Sequence, residues 1–200
     1  MKRSEQRDET RRRIVEAAIE VFAARGYGAS STRDIAARAG TTQGLLTYHF
    51  SSKDALWRAA ADTIFSETAN EIPEMPNGNE PAAFSNGARE GLRRFVRQSA
   101  ARPAMLRFMI DAGSTESART TWLVETHLAP RFALFDAFAQ QAFPSAGRSA
   151  TPHLYYALAG AAALIFTVAP ECGLLTALDP LTPEAINRHA DLIADLFVPA

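Results

Sequence analysis

The sequence is short of the groups on which most chemistry depends. One cysteine in 200 residues, Cys172, leaves no partner for an intramolecular disulfide and no Cys-based zinc site. The four histidines, at 49, 127, 153 and 189, show no metal-ligand spacing, so no metal is expected. No Gly-rich phosphate loop, HExxH or GxSxG is present, so neither an enzyme nor a cofactor is expected. Strand-type alternation and internal repeats are missing too. One run, His153 to Ala169, is free of charge over about a membrane span. It is Ala/Gly-rich at Gly160-Ala161-Ala162-Ala163 and has no flanking Lys or Arg, which suits a helix buried among other helices better than one in lipid. No membrane partner is therefore expected. The first residues, MKRSEQRDETRRR, are charged and lack the apolar segment of a signal peptide, so the expected compartment is the cytoplasm.

What is present is ordinary globular material, 47% hydrophobic and 22% charged, with a net charge of −1. That balance hides an asymmetry. Residues 1–58 carry 11 basic and 7 acidic side chains, and the remainder 10 basic and 15 acidic. A basic first quarter on an acidic body points to an anionic partner for the first part alone.

Helical periodicity dominates. Ile14, Ala17, Ala18, Val21 and Phe22 form one face of a helix from Arg11 to Arg25, and Gly26-Tyr27 fits its C-cap. Ser31 and Asp34 approximate a capping box for a short helix that Gly40 stops. Thr42 caps a second short helix, Gln43 to Phe50, and Ser51-Ser52-Lys53-Asp54 caps a third from about Ala55 to Ala69. Glu71 to Pro81, with three prolines and a glycine, reads as a loop. Helices follow from Phe84, from Pro103 to Gly113, and from Thr115 to Phe143 with Pro130 as the expected kink. The last spans about Pro183 to Phe197.

Two short helices joined by a glycine turn are a helix-turn-helix signature. Ile35, Ala36 and Ala39 can face the first helix, while Leu45, Leu46 and Phe50 can anchor the second short helix from behind. That leaves Thr42, Gln43, Gly44, Thr47, Tyr48 and His49 near or on its open face, hydrogen-bonding groups with almost no charge. Such groups read base edges, while flanking cations grip phosphate. Lys2, Arg3, Arg7, Arg11, Arg12 and Arg13 precede the motif, and Lys53 and Arg58 follow it.

The run from Ser31 to Leu56, with the Ile14–Phe22 pattern and Gly26-Tyr27 before it, resembles the TetR family of bacterial transcriptional regulators. The resemblance implies an all-α chain of about nine helices: a three-helix DNA-binding head over residues 1–54 and a helical ligand-binding and dimerisation body over 55–200. It implies phosphate contact by Thr32, Tyr48, His49 and Lys53, and base or phosphate contact by Thr42, Gln43 and Gly44. Two positions depart from the family pattern. Gln43 stands where Lys or Arg is common, and Thr47 where an aromatic is common. Gln favours the adenine edge where Arg or Lys favours guanine, so an A·T-tolerant contact is expected at that step.

The resemblance also places an effector pocket in the body and a homodimer at the last two helices. Met105, Phe108, Met109, Trp122, Phe132, Phe135 and Phe138 form a Met- and aromatic-rich set there, and His127 could orient a polar group. Plain core is the competing reading of these residues. A small, largely apolar or aromatic effector would suit such a lining. Tyr156, Gly160, Ala163, Leu164, His189, Leu192, Ile193 and Leu196 are the expected dimer face, the small residues allowing close helix crossing. The expected function is a ligand-released repressor that binds a palindromic duplex DNA operator as a homodimer. A transcriptional activator or a less specific nucleoid-type binder would share the same head.

Overall fold

The computed structural model describes residues 3–69 and 81–198, so most of the expected Pro/Gly loop lies outside the described residues. Every regular element among them is helical. In chain order these are α1 Arg3–Ala29, α2 Thr32–Arg38, α3 Gln43–His49, α4 Lys53–Ala69, α5 Pro81–Ala101, α6 Ala104–Gly113, α7 Ala118–Leu123, α8 Ala129–Ala142, α9 Thr151–Thr167, α10 Ala169–Thr176 and α11 Pro183–Phe197.

Two irregularities account for the excess over nine. A π-helical turn, Val124–Leu128, joins α7 directly to α8. Pro130 has no N–H for the carbonyl of Thr126, and its ring crowds that carbonyl. The π register lies just upstream of the proline, where the sequence places a kink. The apolar run beginning at His153 is also broken at Val168, where α9 and α10 meet at 74°. Pro170 sits in the first turn of α10, so the proline starts a new helix where the sequence suggested an outer limit. No single helix among the described residues is long and apolar enough to cross a membrane, although this bent pair passes on length and composition.

The chain gathers into two compact units. The first comprises residues 1–67 and 107–123, and the second residues 68–106 and 124–200. In the first, the predicted stripe of α1 is fully realised: Ile14, Ala17, Ala18, Val21 and Phe22 are buried, as are Ile35, Ala36, Ala39, Leu46 and Phe50 beneath α2 and α3. Leu45, expected to anchor α3 from behind, is instead 40% exposed, because Leu46 and Phe50 already occupy its inner face. Trp57 stacks on Phe108 at 5.0 Å, and Phe22 meets Phe108 edge-on at 6.5 Å.

In the second unit α5 and α11 run antiparallel, which the register of their side chains makes plain. Arg89 meets Asp195, Arg93 meets Asp191 at 2.7 Å, and Arg97 meets Asn187 at 3.2 Å. Beneath these rungs Leu92 and Val96 of α5, Phe138 of α8, Leu158, Ala162 and Phe166 of α9, and Ala190 and Ile193 of α11 share one core. Each large apolar side chain buried there contributes about 1.5–3 kcal/mol.

Candidate nucleic-acid interface

The head's turn geometry is set by local chemistry. Ser31 caps α2: its hydroxyl accepts from the Asp34 amide at 3.1 Å and donates to the Asp34 carboxylate at 2.8 Å. Only the serine half of the expected capping box forms, since Asp34 meets the hydroxyl and not the Ser31 amide. At the other end, Gly40 takes φ +62°. The Thr41 amide donates to the Ala36 carbonyl at 2.9 Å and the Gly40 amide to Ala37 at 3.1 Å, which is the Schellman pairing. Thr42 then caps α3, accepting from the Leu45 amide at 3.2 Å.

This sequence of caps leaves one open face. Thr42, Gln43, Gly44, Thr47 and Tyr48 are exposed, Thr32 and His49 are half-buried, and Leu46 and Phe50 hold the helix from behind. Thr47 spends its hydroxyl hydrogen on the Gln43 carbonyl at 2.9 Å, so towards solvent it offers a methyl group and an acceptor. Tyr48 is 68% exposed, a large aromatic surface for a protein exterior. The His49 ring lies edge-on to it at 5.3 Å. Burial, then the charges of Arg7 and Arg11, push the His49 pKa below 6.5, against a smaller opposing pull from Asp8. His49 is therefore neutral at pH 7 and presents one donor and one acceptor.

Two cations sit against the end of α3. The Arg7 guanidinium lies 5.7 Å from the Tyr48 ring centre, and that of Arg11 lies 5.2 Å from Phe50. The sequence placed both arginines only in a basic flank. The available signal was their i, i+4 spacing, which sets them on one helix face.

Lys53 is arranged differently from what the resemblance implied. Its ammonium donates to the Tyr27 carbonyl at 2.5 Å and lies 4.2 Å from the Tyr27 ring centre. The Arg119 guanidinium stacks on the same ring at 3.5 Å. Burial, and then Arg119, lower the Lys53 pKa. In this conformation the side chain secures the Gly26–Tyr27 turn. Asp111 completes that fastening by accepting the Tyr27 amide at 2.9 Å.

The Met- and aromatic-rich set expected around an effector draws on both units. In the first unit Phe108 is 1% exposed in the Trp57 stack, Trp122 meets Trp57 edge-on at 5.9 Å beneath the Arg58 guanidinium, and Met109 is half-buried. In the second unit Phe132 and Phe135 meet Tyr155 at 5.3 and 5.4 Å, Met105 is half-buried, and the His127 carbonyl accepts from Arg131 at 2.9 Å. Among the residues expected at a dimer face, Ala163 and Ile193 are buried, Ile193 within the unit's own core. His189 bonds the Ala161 carbonyl at 2.8 Å. Tyr156 and Leu164 of α9 and Leu192 and Leu196 of α11 are exposed. Gly160, between Tyr156 and Leu164 on the same face, has open space where a Cβ would stand. Among the described residues no group of three or more His, Cys, Asp or Glu could hold a metal ion.

Residues 14–60 match the family described as bacterial regulatory proteins, tetR family. Over 68 residues the chain is 40% identical to the uncharacterized HTH-type transcriptional regulator YvdT of Bacillus subtilis, covering 34% of this chain and 35% of that one. Over 58 residues it is 46% identical to the HTH-type transcriptional repressor Rv3405c of Mycobacterium tuberculosis, covering 29% of this chain and 31% of that one. The match thus spans about a third of the length of these relatives. The fold extends further. The fatty acid degradation regulator FadR from Bacillus halodurans superposes with a TM-score of 0.68 at 15% identity, over 94% of this chain and 97% of that one.

Proposed function

We propose that this chain, a member of the TetR family of bacterial regulatory proteins, is a transcriptional regulator that binds a specific duplex as a homodimer and is released by a small effector. The observation that carries the reading is the open face of α3. Capped by Thr42 and backed by Leu46 and Phe50, it presents Gln43, Gly44, Thr47 and Tyr48 outward. Such a face suits the major groove, where polar side chains distinguish base pairs. Gln43 reads an adenine edge, Thr32, Thr42, Tyr48 and His49 hold phosphates, and Lys53 steadies the turn behind them. Two heads on a twofold dimer address half-sites about 34–36 Å apart, or a multiple of that.

The dimer face consists of Tyr156, Gly160 and Leu164 on α9 and Leu192 and Leu196 on α11. Four large apolar side chains exposed around a glycine on two mutually packed helices support that assignment. A repressor role draws on the relative named as a repressor. The effector is largely apolar or aromatic, and Phe132, Phe135 and Tyr155 form the aromatic cluster best suited to it in the second unit. The protein works in the cytoplasm, where its DNA is.

The test is Gln43→Ala titrated against operator duplexes substituted base by base. Loss of discrimination at one A·T step, worth about 1–3 kcal/mol, is expected. An unchanged base preference would remove Gln43 from the reading set. Effector release requires reciprocity: operator must weaken effector binding by the factor by which effector weakens operator binding.

A further inference from the structure

We propose that Arg7 and Arg11 belong to the DNA-contacting surface, each held over an aromatic ring at the end of the recognition helix and offering its N–H donors to a backbone phosphate. The inference rests on the DNA-binding reading above and adds to it a second element, the N-terminal turns of α1.

Those turns have no core to serve. Helix α1 begins at Arg3, yet its first buried side chain is Ile14, so about three turns precede the packed stripe. What they do pack against is α3. Arg7 lies over Tyr48 and Arg11 over Phe50, four residues apart and therefore on one helix face.

Charge accounting separates these two arginines from several others of the same unit. Arg12 pairs with Glu9 at 2.6 Å, Arg25 with Asp34 at 3.5 Å, Arg38 with Glu20 at 2.5 Å and Arg58 with Asp54 at 2.9 Å. Among the described residues neither Arg7 nor Arg11 forms an ion pair, and both are exposed. A guanidinium held over a ring by a cation–π contact keeps its charge and its donors, and that fork matches a phosphate. The contact also favours one placement of the side chain before DNA arrives, which lowers the ordering cost of binding. Tyr48, carrying Arg7 on its ring, keeps most of its surface exposed beside the guanidinium. The Lys53 ammonium is turned to Tyr27, while Arg7 and Arg11 sit against the end of α3 with no ion pair among the described residues.

The experiment uses the full chain and the duplex it selects from a random library, with a scrambled duplex beside it. Binding is followed by fluorescence anisotropy as salt is varied. Each phosphate contact contributes about 0.9 to the slope of log affinity against log salt. Arg7→Ala or Arg11→Ala removes one contact per protomer, so a slope shallower by about 1.8 is expected for a dimer, with weaker binding to both duplexes. Arg94→Ala, an exposed arginine of α5 outside the DNA-contacting set, is expected to leave the slope unchanged. NMR titration of His49 without DNA gives a second readout. Its pKa should rise towards 6.5 in Arg7→Ala, and Asp8 and Arg11, the other charges acting on it, stay in place. Selected-duplex binding with an unchanged slope in both variants would overturn the inference and leave the DNA-binding reading standing. A wild-type chain that selects no duplex would overturn both.

Discussion

Gly26→Ala tests the turn that fastens the head. Gly26 adopts φ 72°, ψ 168°, a region open almost only to glycine. Alanine there costs about 2 kcal/mol in backbone strain. A Cβ at this position would also overlap the Asp111 carboxylate, the acceptor of the Tyr27 amide. Asp111 must swing away, and the lost hydrogen bond adds about 1 kcal/mol. Gly26→Ala should therefore destabilise by about 3 kcal/mol and Asp111→Ala alone by about 1 kcal/mol. The double variant should again lose about 3 kcal/mol, since the overlap no longer has a bond to break, leaving it about 1 kcal/mol short of additivity. Gly40→Ala is the control: its φ is also positive, but nothing lies within 4 Å of the added Cβ, so only about 1–2 kcal/mol is expected. Urea unfolding at fixed protein concentration, with m-values unchanged, gives all four numbers. Strict additivity of Gly26→Ala and Asp111→Ala, or a Gly26→Ala cost no larger than that of Gly40→Ala, would refute the reasoning.

Other consequences follow from burial, exposure and charge. Phe108→Ala should cost about 3–5 kcal/mol in thermal or urea unfolding, because it empties the stack between Trp57 and Phe22. At Gly160 an added Cβ meets nothing within 4 Å, so Gly160→Leu should retain the far-ultraviolet spectrum, while sedimentation velocity should show weaker self-association if the proposed dimer face is right. Since His49 has a lowered pKa when folded, the unfolded chain binds more protons once pH drops through 6.5. Its contribution to stability is therefore intact above that pH, declines on acidification and levels off below the folded pKa. A His49→Gln variant should lack that part of the pH dependence in equilibrium unfolding. Arg93→Ala breaks a partly exposed rung between α5 and α11 and should cost less than about 1 kcal/mol, diminishing with salt.

The head was legible because its signals are local. Ser31, Gly40 and Thr42 announce their caps within three residues, and the structure uses all three. The apolar stripe of α1 was equally plain, but its start was not: residues 3–10 carry no apolar period, and their helix rests against the end of α3. Leu45 was misplaced because an apolar residue beside two others looks like an anchor until the inner face is full. The break at Val168 was hidden because Pro170 fits either the end of one helix or the first turn of the next. The inward turn of Lys53 depends on Tyr27 and Arg119, neighbours that no spacing rule brings together.

The most direct test of DNA reading by α3 is selection of bound duplexes from a random library at about physiological salt, followed by sequencing. The expected product is a palindrome with half-sites one helical turn apart, or a multiple of it, carrying an A·T pair at the step opposite Gln43. Recovery of no preferred sequence, with binding that fades as salt rises, would mean sequence-independent phosphate contact and would contradict specific recognition by α3.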